Sequence, residues 1–170
     1  MQRRSWMALA LCAALIAFLA LYYVESQSMP DTLTQADAVG ILRHMQDAIA
    51  HKNSGAIMDY IAPAPETRLA GLNQDQLHFL LIRAFRNSGA LQAECSKIDF
   101  VGIRDEATVE FDLTVTNKRG DVVGTDYQGR VTMHLKRVTV PRMLGIFHAQ
   151  EWRVTGAEST GLDPSTFLDM

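Results

Sequence analysis

The sequence predicts an α+β fold: a few helices, then a meander of antiparallel strands, behind one apolar segment near the N-terminus. Three observations carry this. Trp6 to Val24 is a run of nineteen residues without a charge. From Thr34 to Ser88 apolar residues recur at helical spacing, three and four apart. Beyond Cys95 the period falls to two.

The N-terminal run comes first. At 1.5 Å per residue it is about 28 Å long, close to the hydrocarbon thickness of a bilayer. A secretory core segment is shorter, about 7–15 residues. Trp6 stands at one end and Tyr22 and Tyr23 at the other, where aromatic belts form. Arg3 and Arg4 precede the run, and Glu25 and Asp31 follow it. The positive flank stays in the cytoplasm, so the rest of the chain is expected on the exported side, periplasmic or extracellular. The alternative is a signal cleaved after Val24-Glu25-Ser26, although bulky Val24 makes this a weaker site than Ala-x-Ala. Cys12 follows Leu9-Ala10-Leu11, with no small residue beside it, so a lipoprotein signal does not fit. Cys12 is expected as a small apolar residue of the membrane helix.

The predicted organisation is a cytoplasmic stub and transmembrane helix (1–26), a linker (27–33), one domain (34–157) and a tail (158–170). Hydrophobic residues make up 48% of the chain, enough for a packed core. The formal charge of −3 becomes about −5 without Arg3 and Arg4, which argues against general nucleic-acid binding. Beyond the apolar run Cys95 is the single cysteine, so an internal disulfide and a cysteine-based metal motif are excluded.

Thr34 with Asp37 predicts the start of a first helix, with Asp in place of the usual Glu or Gln of a capping box. Ala38, Ile41, Leu42, Met45, Ala48 and Ile49 form its apolar stripe. Asn53-Ser54-Gly55 ends it and caps a short second helix through Ile61, which Pro63 and Pro65 stop. Asn73 with Gln76 caps a third. In it Leu77, Leu80, Leu81, Ala84, Phe85 and Ser88 share a side, and Gly89 ends it. Residues 95–104 read as a first strand. Ala107, Val109, Phe111, Leu113 and Val115 then alternate with Thr108, Glu110, Asp112, Thr114 and Thr116, a half-buried strand. "NKRGD" (117–121) is its turn. Gly129, Val131, Met133 and Leu135 mark a later strand, "VPRMLG" (140–145) interrupts the pairing, and Trp152 and Val154 mark a last strand.

This order resembles the nuclear transport factor 2-like superfamily, which includes ketosteroid isomerase and SnoaL-like proteins. "RDEATVEFDLTV" (104–115) resembles its recurrent turn and outgoing strand. "GRVTMHLKR" (129–137) with "EWRVTG" (151–156) resembles its last two strands, where a Trp enters the final one. The resemblance covers residues 33–157. It implies a cone-like curved sheet packed on about three helices, with a pocket between them. It also implies a tendency to dimerise through the sheet. In architecture alone, one helix before this fold resembles an inner-membrane assembly component of type IV secretion systems.

Isomerase-like enzymes of the superfamily hold a carboxylate base and a neutral acid in an apolar pocket. Glu110 and Asp112 fall on the polar face of their strand. Asp59 belongs to a short helix near a loop. Asp99, between Ile98 and Phe100, is the ambiguous carboxylate. None matches a catalytic position, so no catalytic residue is assigned. His44, Asp47 and His51 share one side of the first helix at metal-ligand spacing. Their side is centred about 130° from the apolar stripe, and no third strong ligand stands nearby. A solvated face is expected, with no metal and no cofactor.

Tyr60, His78 and Trp152 are the candidate pocket residues, each with a core role as the plainer alternative. Arg142, Met143 and Leu144, in "VPRMLGIF" (140–147), are candidates for contact with a partner or an anionic membrane surface, against folding back over the core. The sequence thus points to a membrane-anchored exported domain that binds or assembles without catalysis. Its expected partners are the membrane through residues 6–24, a second copy of itself or an envelope protein, and no nucleic acid. A SnoaL- or ketosteroid isomerase-like enzyme is the first alternative, and a heterodimeric adaptor the second.

Overall fold

The computed structural model of the chain describes residues 32–63, 67, 72–120, 122–142 and 147–160. The apolar run of residues 6–24, Met143, Leu144 and the tail from residue 161 lie outside these. Among the described residues no helix is long and apolar enough to cross a membrane.

Helix α1 is Gln35–Ala50. The Asp-containing box closes as the sequence suggests. Asp37 N donates to Thr34 Oγ1 at 3.2 Å, and Thr34 N donates to Asp37 Oδ2 at 3.1 Å. Two orphan donors of the first turn are thereby satisfied. The helix buries Ala38, Leu42 and Ala48. Lys52, just beyond it, takes a left-handed φ of 53°. Asn53 then caps α2, Ser54–Met58, by accepting from Ala56 N.

α2 is shorter than the sequence predicts. In place of another turn, Ile61 forms a parallel bridge with Val154. Val154 N donates to Tyr60 O at 2.7 Å, and Ala62 N donates to Val154 O at 2.9 Å. Pro63 disfavours helical geometry at Ala62, and pairing to the sheet supplies the hydrogen bonds instead.

Helix α3 is Gln74–Asn87, opened by a reciprocal Asn73–Gln76 box and closed at Ser88. Gly89 serves a different purpose from the predicted helix cap. A Cβ there would run into the carbonyl oxygen of Lys118. Gly89 N also donates to Asn117 Oδ1 at 2.9 Å. The glycine lets the chain leave the helix tight against the sheet.

The strands are β1 Ala90–Ile103, β2 Glu106–Arg119, β3 Val122–Arg142 and β4 Phe147–Ser159, in sheet order β1-β2-β3-β4. The sheet is a curved antiparallel meander. β1 begins earlier than the alternation suggests, because Ala90 already pairs with Lys118. β3 runs through Pro141, where the sequence predicts a break. Its pairing with β2 ends at Lys136, so on that side nothing needs the missing proline N–H.

A bulge between Ser96 and Asp99 decides the faces of β1. Lys97 there has φ 50°. The extra residue shifts the alternation, so that Cys95 and Phe100 both face the helices despite opposite parity. The core on that side joins Ala38 and Leu42 of α1 to Val109, Phe111, Met133, Leu135, Trp152 and Val154 of the sheet. A second cluster, Ala48, Ile57 and Phe85, ties the three helices together. The described residues of 32–138 and 152–160 form one compact unit, and those of 139–151 belong to another.

Candidate functional site

The helix-facing side of the sheet is apolar over its middle, from Phe100 across Val109 and Met133 to Trp152 and Val154. Phe100 pairs with Val109 and Val109 with Met133; Ala107 pairs with Leu135. Trp152 is set into this surface at 6% exposure. Its Nε1 is buried and has no hydrogen-bond partner. A buried indole N–H usually finds an acceptor, and leaving one unmade costs about 1–3 kcal/mol. The Trp152 indole is therefore an unused donor among hydrocarbon groups on this side of the sheet.

Tyr60 is half-buried beside the same strand, through the Val154 pairing on its carbonyl. Its ring stacks on His44, with centroids 6.2 Å apart and planes at 22°. His78 is also half-buried, and its Nε2 shares a 3.1 Å hydrogen bond with Ser54 Oγ. That bond ties α3 to the start of α2. Thus Tyr60 and Trp152 are brought to one strand, while His78 serves the helix–helix contact.

The His44, Asp47 and His51 side of α1 is exposed. His51 turns back, with Nδ1 2.8 Å from the Asp47 carbonyl oxygen. His44 goes to Tyr60 instead. Among the described residues no group of three metal-ligating side chains converges. Of the hairpin candidates, Met143 and Leu144 lie outside the described residues, and Arg142 closes β3 in the unit that holds residues 139–151.

The opposite, outer face is ionic. Arg130 Nη2 donates to Asp99 Oδ2 at 2.8 Å and to Glu110 Oε2 at 3.2 Å, and its Nη1 lies 3.5 Å from Asp112 Oδ1. Lys97 Nζ completes the network, 2.9 Å from Asp112 Oδ2. Lys97 and Arg130 hold the Asp112 carboxyl below its usual range, with the Lys97 hydrogen bond the larger cause. Asp99, ambiguous in the sequence, has a side chain 71% exposed on this face. The bulge at Lys97 put it there. Glu110 and Asp112 lie outside as their alternation predicts.

Sequence reasoning missed three arrangements. The Arg130 network was visible as one cation on the polar register of β3, but its partners come from two other strands. Glu151 and Arg153 are buried and engaged, although they flank Trp152 on the register that should be polar. The Ser54–His78 bond joins residues with no sequence relation. Burial also pushes the Cys95 thiol up to about 11.

No protein-family model matches the chain, and no curated protein matches it significantly. Solved structures do match. A nuclear transport factor 2-like superfamily protein from Salmonella enterica serovar Typhimurium superposes with TM-score 0.59 at 14% identity, over 75% of this chain and 90% of that one. A protein of unknown function with a cystatin-like fold, from Nostoc punctiforme, gives TM-score 0.55 at 17% identity, over 75% and 92%. Bd1075 of Bdellovibrio bacteriovorus gives TM-score 0.57 at 10% identity over 75% of this chain, which spans 40% of that protein's length. The fold is nuclear transport factor 2-like, an α+β arrangement of the cystatin-like kind. At these identities the likeness defines the fold and leaves the activity to the site.

Proposed function

We propose that this chain is a membrane-anchored binding module. Residues 6–24 hold it in the membrane with the N-terminus in the cytoplasm, and the α+β domain stands on the exported side. The domain acts without catalysis. It takes a small apolar ligand, and a second copy of the chain or an envelope protein is its protein partner.

The observation that carries the ligand reading is the unused Trp152 Nε1 among apolar side chains. A ligand with a hydrocarbon body and one carbonyl or hydroxyl oxygen suits that surface. The outward position of Asp99, Glu110 and Asp112 takes these three carboxylates out of the apolar setting that isomerase-like chemistry needs, and the buried Glu151 is already engaged.

The test uses the full chain in nanodiscs with nitrogen-labelled tryptophan. Cyclohexanone, which has an acceptor, should shift the Trp152 indole N–H resonance saturably, while methylcyclohexane should not. Trp6 serves as the internal control. Equal responses to both probes, or none, would reject the ligand reading. The anchor is read separately by carbonate extraction and intact mass. Full-length protein in the membrane pellet supports it, and a soluble product beginning at Gln27 overturns it.

A further inference from the structure

We infer that the last part of β1, residues 99–103, pairs edge to edge with the same segment of a second copy of this chain. β1 is an outer strand of the sheet, 14 residues long, and its neighbour is β2. The other outer strand, β4, has its edge occupied, since Ala62 N donates to Val154 O and Val154 N to Tyr60 O. Among the described residues β1 has no such backbone partner beyond β2. An unpaired edge is a template for another strand, and folded chains guard it with lysines, bulges or covering groups.

The guards on β1 protect its first part. Gln46 Nε2 donates to Ala93 O at 3.2 Å, and the bulge with Lys97 at φ 50° follows. Beyond Asp99 the exposed groups turn apolar. Val101 and Ile103 stand 62% and 72% exposed. They share one face. Their partners on β2 are Thr108 and Glu106, which alternate with the buried Ala107 and Val109, so Val101 and Ile103 both lie on the outer face. Gly102 between them is exposed and puts no side chain in the way of a neighbouring strand.

The order of charge along this stretch selects the occupant. Lys97 and Asp99 precede the apolar pair, Arg104 and Glu106 follow it, and all four are exposed. An antiparallel copy related by a twofold axis at Gly102 sets Val101 of each chain beside Ile103 of the other, on one face. It also carries Lys97 toward Glu106 and Asp99 toward Arg104. The charges are unlike in both contacts, and each contact occurs twice. A parallel copy would set Lys97 against Lys97 and Asp99 against Asp99. Lys97 and Glu106 have partners in their own chain, Asp112 and Lys136, but at 75% and 72% exposure both remain open to a further contact. Asp105, the other carboxylate of this turn, lies 3.8 Å from Arg137 of its own chain. The segment is thus complementary to itself when reversed, which is the condition for an isologous pair. The inference rests on the second-copy partner of the proposed function and gives that partner a surface.

The experiment uses the full chain in dodecyl maltoside micelles. Sedimentation equilibrium should show a reversible dimer. Val101→Lys/Ile103→Lys should weaken it about tenfold or more, because lysines then oppose lysines across the pair. Phe79→Lys, at a similarly exposed apolar residue of α3, should leave it unchanged. These positions are exposed, so the fold should hold, as urea midpoints would verify. Lys97→Glu should weaken the dimer severalfold, and adding Glu106→Lys should restore it. In a Cys12→Ser background, copper phenanthroline should cross-link a mixture of Val101→Cys and Ile103→Cys chains faster than Phe79→Cys chains. A dimer that the two lysines leave intact, or cross-linking no faster than in the Phe79 control, would overturn the inference while the second-copy reading stood. A monomer at every concentration would overturn both. Neither the tryptophan resonance nor carbonate extraction depends on these variants, so the ligand and anchor readings are judged separately.

Discussion

The two faces of the sheet are made of alternate residues on the same strands, yet they do different work. On the helix-facing side, Val109, Met133 and Leu135 stack against α1, and stability resides there. On the outer side, Arg130 and Lys97 pair with Asp99, Glu110 and Asp112 in contact with water. Apolar burial gains from removing water, whereas an exposed ion pair gives up hydration and side-chain freedom for a screened attraction. The ionic face is therefore expected to contribute little to folding and more to what the sheet can meet.

The sharpest way to break this contrast is Leu135→Ala, at a side chain 2% exposed. It should cost about 2–5 kcal/mol in urea unfolding, and a loss as small as that of a surface change would mean the interior is not the stabilising face. Next is the reactivity of Cys95 on the same side. Its thiol, raised by burial to about 11 from an ordinary 9.0, should alkylate with iodoacetamide at pH 8 about 100-fold more slowly than an exposed cysteine. Reaction at the exposed rate would show this side of the sheet open to water.

The outer face should respond more weakly. Arg130→Ala removes the centre of the network, but its side chain is partly exposed, so the cost should be under about 1 kcal/mol. The smallest effect concerns pH. The Asp112 carboxyl is held below its usual range, so its contribution is full above the ordinary carboxylate value. That contribution is lost as pH falls through the depressed one. Lys97→Ala should raise the Asp112 carboxyl titration seen by NMR toward the ordinary value. An unmoved titration would assign the shift to Arg130 instead.

Much of the fold was legible because it is local. Thr34 with Asp37 and Asn73 with Gln76 named the helix starts, and the alternation from Ala107 to Thr116 named both faces of β2. Asp99 was not legible, since its face depends on one extra residue at Lys97, and a bulge has no period. The short α2 was misread because Ile61 has a pairing partner about ninety residues away, at Val154. Of the candidate site, Trp152 was visible as a large ring on the last strand. Its unused N–H was not, because satisfaction of a donor depends on every neighbour.

By itself the sequence determined the α+β class, the caps and the alternation of the strands, all set by interactions a few residues apart. The apolar run near the N-terminus is likewise a property of consecutive residues. Only the tertiary structure decided that Asp99, Glu110, Asp112 and Arg130 meet on one face. Charge at a point in space is a sum over residues distant in the chain, and chain packing fixes which of them stand close enough to add.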